Sequence, residues 1–173
     1  MSLDSLEKLF LEELKDIYNA EKQLTRALPR MAKAAESPQL QQAFTSHLKE
    51  TEGQIQRLER VFKELGQAAR GKKCKAMEGL IEEGKELMEE ESEPQVLDAA
   101  LIGAAQKVEH YEIAAYGCLS TYAELLGYSE SAQLLRQNLQ EEEAADKKLN
   151  ALAEGGINES AAMAGAGQDE AED

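Results

Sequence analysis

Tryptophan is absent, proline occurs three times, cysteine twice, and aromatic residues make up 5% of the 173-residue chain. Each scarcity excludes something. Cys74 and Cys118 lie far apart with no Cys-x-x-Cys or metal-type spacing, which leaves a disulfide framework or a zinc site without support. No stretch reaches the roughly 18–20 uninterrupted apolar residues of a membrane span. The opening residues already carry Asp4, Glu7, Lys8, Glu12 and Glu13, so neither signal peptide nor anchor is expected, and the location expected is cytoplasmic. Basic residues are also in short supply. Lys and Arg total 19 against 34 Asp and Glu, a formal net charge of −15, and this charge repels nucleic acids and acidic membrane surfaces. Nor is there a phosphate loop, a Rossmann fingerprint or a nucleophilic triad. Cations are the partners such a chain suits, although most acidic proteins carry their charge on solvated faces.

What is abundant is Ala, Leu, Glu, Lys and Gln, the strongest helix formers, which points to an all-α protein. Leu3, Leu6, Phe10, Leu14, Ile17, Leu24, Leu28 and Met31 step by three and four, save for one interval between Ile17 and Leu24. They predict an amphipathic helix bent near Pro29 and ending around Glu36-Ser37-Pro38. Ser37 and Pro38 suit the cap and first position of a second helix, which carries Leu40, Phe44, Thr51, Ile55, Leu58, Phe62 and Leu65 and stops at Gly66. A basic connector over 67–75 leads to a short helix with Met77, Leu80, Ile81, Leu87 and Met88. The third long helix, over 95–126, has apolar residues on more than one face, with small residues that allow close approach by neighbours or by a second subunit. Gly127 ends it, and a fourth helix follows with Leu134, Leu135, Leu139, Leu149 and Leu152. Two helical hairpins joined by a long crossover give an antiparallel four-helix bundle of ferritin-like connectivity over 1–154, with a short extra helix in the crossover. The Ala/Gly-rich acidic segment 155–173 is expected to be a flexible tail.

Polar residues interrupt the apolar stripes at one height. Glu21 fills the gap in the first helix, four residues after Ile17 and three before Leu24. His47, Glu50 and Gln54 run into Leu58 on the second helix; Leu101, Ala105, Glu109, Glu112, Tyr116 and Leu119 share a stripe on the third; and Leu135, Leu139, Glu142, Asp146 and Leu149 share one on the fourth. Glu21 lies 16 residues before Ser37 and Glu50 lies 13 after it, while Glu112 lies 16 before Tyr128 and Glu142 lies 14 after it. In antiparallel hairpins these offsets amount to roughly 3–4.5 Å along the axis, so the carboxylates can meet in one layer. A weak internal repeat agrees, with Glu21 and Glu112 separated by 91 residues and Glu50 and Glu142 by 92.

Ionised carboxylates gathered in a core require compensation, and the stripes hold no Lys or Arg. The counter-charge is therefore either shared protons, in a polar layer that fixes helix register, or metal. Oxygen ligands with an imidazole suit iron or manganese, and two divalent ions would supply +4.

At these residues the chain resembles the bacterial stress-induced ferritin-like proteins of the YciE/YciF type. The stretches that carry the resemblance are AEKQLTRALPRMAKA, HLKETEGQIQRLE, CKAMEGLIEE, DAALIGAAQKVEHYEIAAYG and LLRQNLQEEEAADKKL, the EHYE segment being the most specific. The resemblance implies a rubrerythrin-like fold, homodimers and a carboxylate di-metal site. The expected ligands are Glu21, Glu50, Glu109, Glu112 and Glu142, with His47, Gln54 and Asp146 as further ligands and Tyr18 or Tyr116 as hydrogen-bond donors behind them. The Glu-x-x-His of rubrerythrin and ferritin centres is missing, since Gly53 follows Glu50 and Ala145 follows Glu142 at that spacing. His110 points off the stripe. A di-iron oxidoreductase or ferroxidase-like activity would need an external reductant, because no rubredoxin-type Cys-x-x-Cys pair is present. The competing expectations are a non-catalytic dimeric bundle that acts through protein contacts, and iron storage in a cage.

Overall fold

A computed structural model describes residues 3–166, and among them every regular element is helical. Helix α1 spans Leu6–Ala34, α2 Pro38–Glu64, α3 Lys75–Glu89, α4 Pro94–Leu125, α5 Ser129–Leu152 and α6 Asn158–Ala166. Their ends follow local chemistry. The Ser5 hydroxyl accepts from the Lys8 amide (3.2 Å) and the Ser37 hydroxyl from the Leu40 amide (3.4 Å), with Pro38 opening α2 where its missing N–H costs nothing. Gly66 and Gly127 take the left-handed conformation (φ 65° and 81°) just past the ends of α2 and α4. The helix α1 continues through Pro29 to Ala34.

Four long helices form a ring in which α1 packs on α2 and α4, and α5 packs on α2 and α4. The crossover carries α3 along the outside against α1 and α4. Its approach is anchored on α1: the Lys72 amide donates to the Lys15 carbonyl (3.0 Å), and the Cys74 amide donates to Asn19 Oδ1 (2.8 Å). A side chain at Gly71 would strike the Asn19 Cβ at 2.9 Å, so glycine is required by that close approach. The stretch 67–73 is exposed, as a solvated connector should be, but Cys74 is buried and its thiol lies 3.1 Å from the Tyr111 hydroxyl. The many-sided apolar surface of α4 is accounted for by α1, α3, α5 and α6 packed around it.

The carboxyl-terminal segment departs from expectation over 155–166. Gly156 (φ 133°) turns the chain, Ile157 packs against the core, and α6 lies on α4. Ala161, Ala162 and Ala164 favour helix, and docking on α4 supplies the burial that composition alone left out. The acidic residues beyond 166 lie outside the described residues.

One turn of the bundle is tied by a buried carboxylate. Asp98 on α4 accepts the backbone N–H groups of Glu36 and Ser37, each at 2.8 Å, across the α1–α2 turn.

Candidate metal centre

The stripe predicted on α4 is buried throughout: Leu101, Ala105, Glu109, Glu112, Tyr116 and Leu119 all face inward. Their spacings of three and four keep them on one side of the helix, while intervening residues point elsewhere. His110 is 67% exposed and sits 3.3 Å from Asp146, and the Tyr111 hydroxyl donates to Asp16.

Four of the predicted residues come together. One ligand atom from each of His47, Glu109, Glu112 and Glu142 lies within 4.8 Å of the others, and all four residues are buried. His47 Nε2 is 3.3 Å from Glu109 Oε1 and 3.5 Å from Glu142 Oε2, without hydrogen-bond alignment to either. Glu21 is fully buried beside them and accepts a hydrogen bond from the Tyr116 hydroxyl.

The remaining expected residues fall around this group. Glu50 is 46% exposed at its side chain and contacts the outer imidazole nitrogen, His47 Nδ1, at 3.1 Å. A proton on Nδ1, held by that carboxylate, leaves the Nε2 lone pair directed at the cluster. Asp146 is half-buried and accepts from Gln106 (3.1 Å). The Tyr18 hydroxyl donates to Glu59 (2.9 Å), away from the acidic layer. Gln54 is fully buried, and neither its Oε1 nor its Nε2 has a hydrogen-bond partner.

Thr51, on the stripe expected of α2, and Asn138, which the sequence did not single out, are further buried polar residues beside the site. Thr51 occupies the inward position on α2 that Glu50 was expected to fill, and its hydroxyl is also unpartnered. The buried set His47, Thr51, Gln54 and Leu58 steps four, three and four, which is as regular as the predicted set through Glu50. Asn138 on α5 receives the Arg57 Nε–H, and Arg57 also pairs with Glu141, tying α2 to α5.

Electrostatically the layer is overloaded with acid. Burial, reinforced by the charge of Glu142, lifts Glu21 to about 8, although the Tyr116 hydrogen bond works against the rise. Burial lifts Glu109 to about 7, and burial with neighbouring carboxylates pushes Glu112 and Glu142 well above the usual range. Burial alone would make His47 harder to protonate; contact with Glu50 and the charges of Glu142 and Glu21 outweigh it and raise its pKa. Glu50 itself is held below the ordinary value, chiefly by His47.

The donor set fits a cation. Both oxygens of Glu112 and of Glu142, Glu21 Oε2, Glu109 Oε2 and His47 Nε2 are buried with no hydrogen-bond partner, and among the described residues no Lys or Arg pairs with these four carboxylates. Such groups each cost roughly 1–3 kcal/mol when left unsatisfied. A metal ion coordinated there offsets that cost, and the buried cluster could hold one.

Comparison with known proteins agrees in extent. Residues 5–162 match a family described as a domain of unknown function, DUF892. The protein YciF of Escherichia coli is 51% identical over 162 residues, covering 93% of this chain and 98% of its own. The crystal structure of that E. coli stress protein superposes with a TM-score of 0.87 at 52% identity, over 90% of this chain and 99% of the other. YcfI from Rhodopseudomonas palustris, described as a candidate structural protein, superposes with a TM-score of 0.84 at 50% identity, over 87% of this chain and 97% of its own. Among the described residues, no helix is long and apolar enough to cross a membrane.

Proposed function

The chain belongs to the DUF892 family, and from that premise we propose that it is a stress-associated ferritin-like protein that holds a pair of divalent metal ions, iron or manganese, and uses them against peroxide or O2. The observation that carries this reading is the set of buried, unpartnered oxygens and one imidazole nitrogen contributed by all four bundle helices, with no Lys or Arg among the described residues paired to them. His47, Glu109, Glu112 and Glu142 would hold one ion, and Glu21, buried beside them, would help hold a second. Four ionised carboxylates bring −4, which two divalent ions cancel. When bound as Fe(II), the metal supplies the electrons for reducing oxidant, and a separate reductant must restore them. The chain contributes positioning: Tyr116 holds Glu21 by its hydroxyl, and Glu50 holds the His47 ring with Nε2 inward.

A second reading, a non-catalytic bundle whose acidic layer only sets helix register, draws on the description of the R. palustris relative. Metal analysis of natively purified protein, then anaerobic Fe(II) titration of wild type and Glu112→Ala, separates the two. Two ions per wild-type chain and fewer in the variant support the metal reading; near-zero stoichiometry in both overturns it. Consumption of peroxide or O2 by the loaded protein then distinguishes a redox protein from a passive site.

A further inference from the structure

A buried ion site needs a way in. Glu21, Glu112 and Glu142 have no exposed surface, and Tyr116, beside Glu21, is equally closed. His47 and Glu109 differ, because both line a cavity of about 110 Å³ that opens between α2 and α5. Glu50 lies on the α2 side of that cavity, while Ala144, Ala145 and Lys148 line it from α5. A water needs roughly 10–15 Å³ of such space, so the cavity accepts a small ion with several of its waters and nothing the size of a nucleotide.

We propose that this cavity is the port through which a divalent cation reaches the buried cluster, with Glu50 as the carboxylate that receives it. The inference rests on the metal reading above. Its own support is the sequence of donors along one line inward. Glu50 is half-exposed, and its Oε2 touches His47 Nδ1 at 3.1 Å; across the ring, His47 Nε2 is 3.3 Å from Glu109 and 3.5 Å from Glu142. A cation that sheds waters at Glu50 therefore meets replacement ligands within one side chain's reach. His47 lines the cavity while its Nε2 is buried and unpartnered, which is the arrangement an incoming ion requires. Ala144 and Ala145 keep the α5 wall low. Lys148 places the opposing charge: its ammonium acts on Glu50 and repels an approaching cation, which limits the rate of entry.

The test is anaerobic stopped-flow binding of Co(II), followed by its visible absorption, with the equilibrium stoichiometry read on the same samples. Ala145→Leu fills the port and slows association by about tenfold or more while the final Co(II) content stays at the wild-type level. Ala151→Leu, the same change at an exposed position of α5, keeps the wild-type rate. Lys148→Glu accelerates association several-fold at low ionic strength, with the gain fading in salt. Glu50→Gln slows it. Circular dichroism establishes that each variant is folded. A folded Ala145→Leu that fills at the wild-type rate overturns the port; if that variant does not fold, a Lys148→Glu rate unchanged at low salt overturns it equally. Wild-type protein that takes up no Co(II) at equilibrium overturns the metal reading itself, and the port with it.

Discussion

Helix α4 buries acidic side chains at two levels, and they are treated in opposite ways. Asp98, near its start, receives two backbone N–H groups from the α1–α2 turn at 2.8 Å each. Glu112, fourteen residues further on, has no hydrogen-bond partner at either oxygen and faces Glu21, Glu109 and Glu142. Burial is common to both; what differs is what answers the charge. At Asp98 the protein answers it from its own backbone and secures a turn. At Glu112 the protein withholds an answer, which is what a site reserved for an external cation requires.

Substitutions at the two levels should therefore have opposite signatures. The largest effect is expected from Glu112→Leu, which should reduce metal affinity by more than about a hundredfold, beyond what loss of an outer-sphere partner does. The same change should raise the thermal midpoint of the metal-free protein, because it removes a buried acid that nothing satisfies. Isothermal titration and calorimetry on one preparation measure both; a metal-free variant less stable than wild type would break the contrast.

Next in size is removal of metal from the wild type. With free metal at about 100 times its dissociation constant, chelation should cost about 2.7 kcal/mol of folding stability, whereas at the same free metal Glu112→Leu should lose no more than about 0.4 kcal/mol. Asp98→Ala should behave in reverse, losing about 1–3 kcal/mol from two unanswered N–H groups while binding metal with wild-type stoichiometry.

The smallest effect is a pH dependence of the metal-free protein. Glu21 and Glu109 titrate at about 8 and 7 in the fold, above their unfolded value of 4.5. The folded state thus binds more protons than the unfolded chain between these values. Stability contributed by the protonated layer should be complete below pH 4.5 and decline as pH rises through 7 to 8, while metal binding tightens over the same interval. Urea unfolding at pH 5.5 and 8 measures the first, and the Glu112→Leu variant should show a shallower slope.

Much of this was legible in the chain because helical stripes are periodic and a carboxylate at a Leu position interrupts them. Glu21 in its gap and the run from Leu101 to Leu119 are buried as their spacing requires. Glu50 and Thr51 mark where periodicity stops deciding. Both continue from His47 at allowed helical spacings, and only the packing of α2 against α5 turns Thr51 inward and leaves Glu50 at the edge. Tyr18 is buried as its position suggests, but its hydroxyl finds Glu59. Asp98 carried no signal, because its partners are main-chain groups 61 and 62 residues away. The α6 helix was hidden for a related reason: an Ala-rich segment gains order only from the surface of α4 it covers.

The anchoring of the crossover has a consequence for how the chain can be divided. Lys72 and Cys74 hold to α1 through Lys15 and Asn19, yet Arg70 and the three residues before it are exposed. A trypsin cut after Arg70 would sever the covalent join between the hairpins while leaving every one of those contacts in place as a bridge between the two pieces. The two fragments would remain associated after the nick, each contributing two of the four bundle helices, with Glu21 and His47 on one piece and Glu109, Glu112 and Glu142 on the other, and the protein would behave as a heterodimer made from one gene.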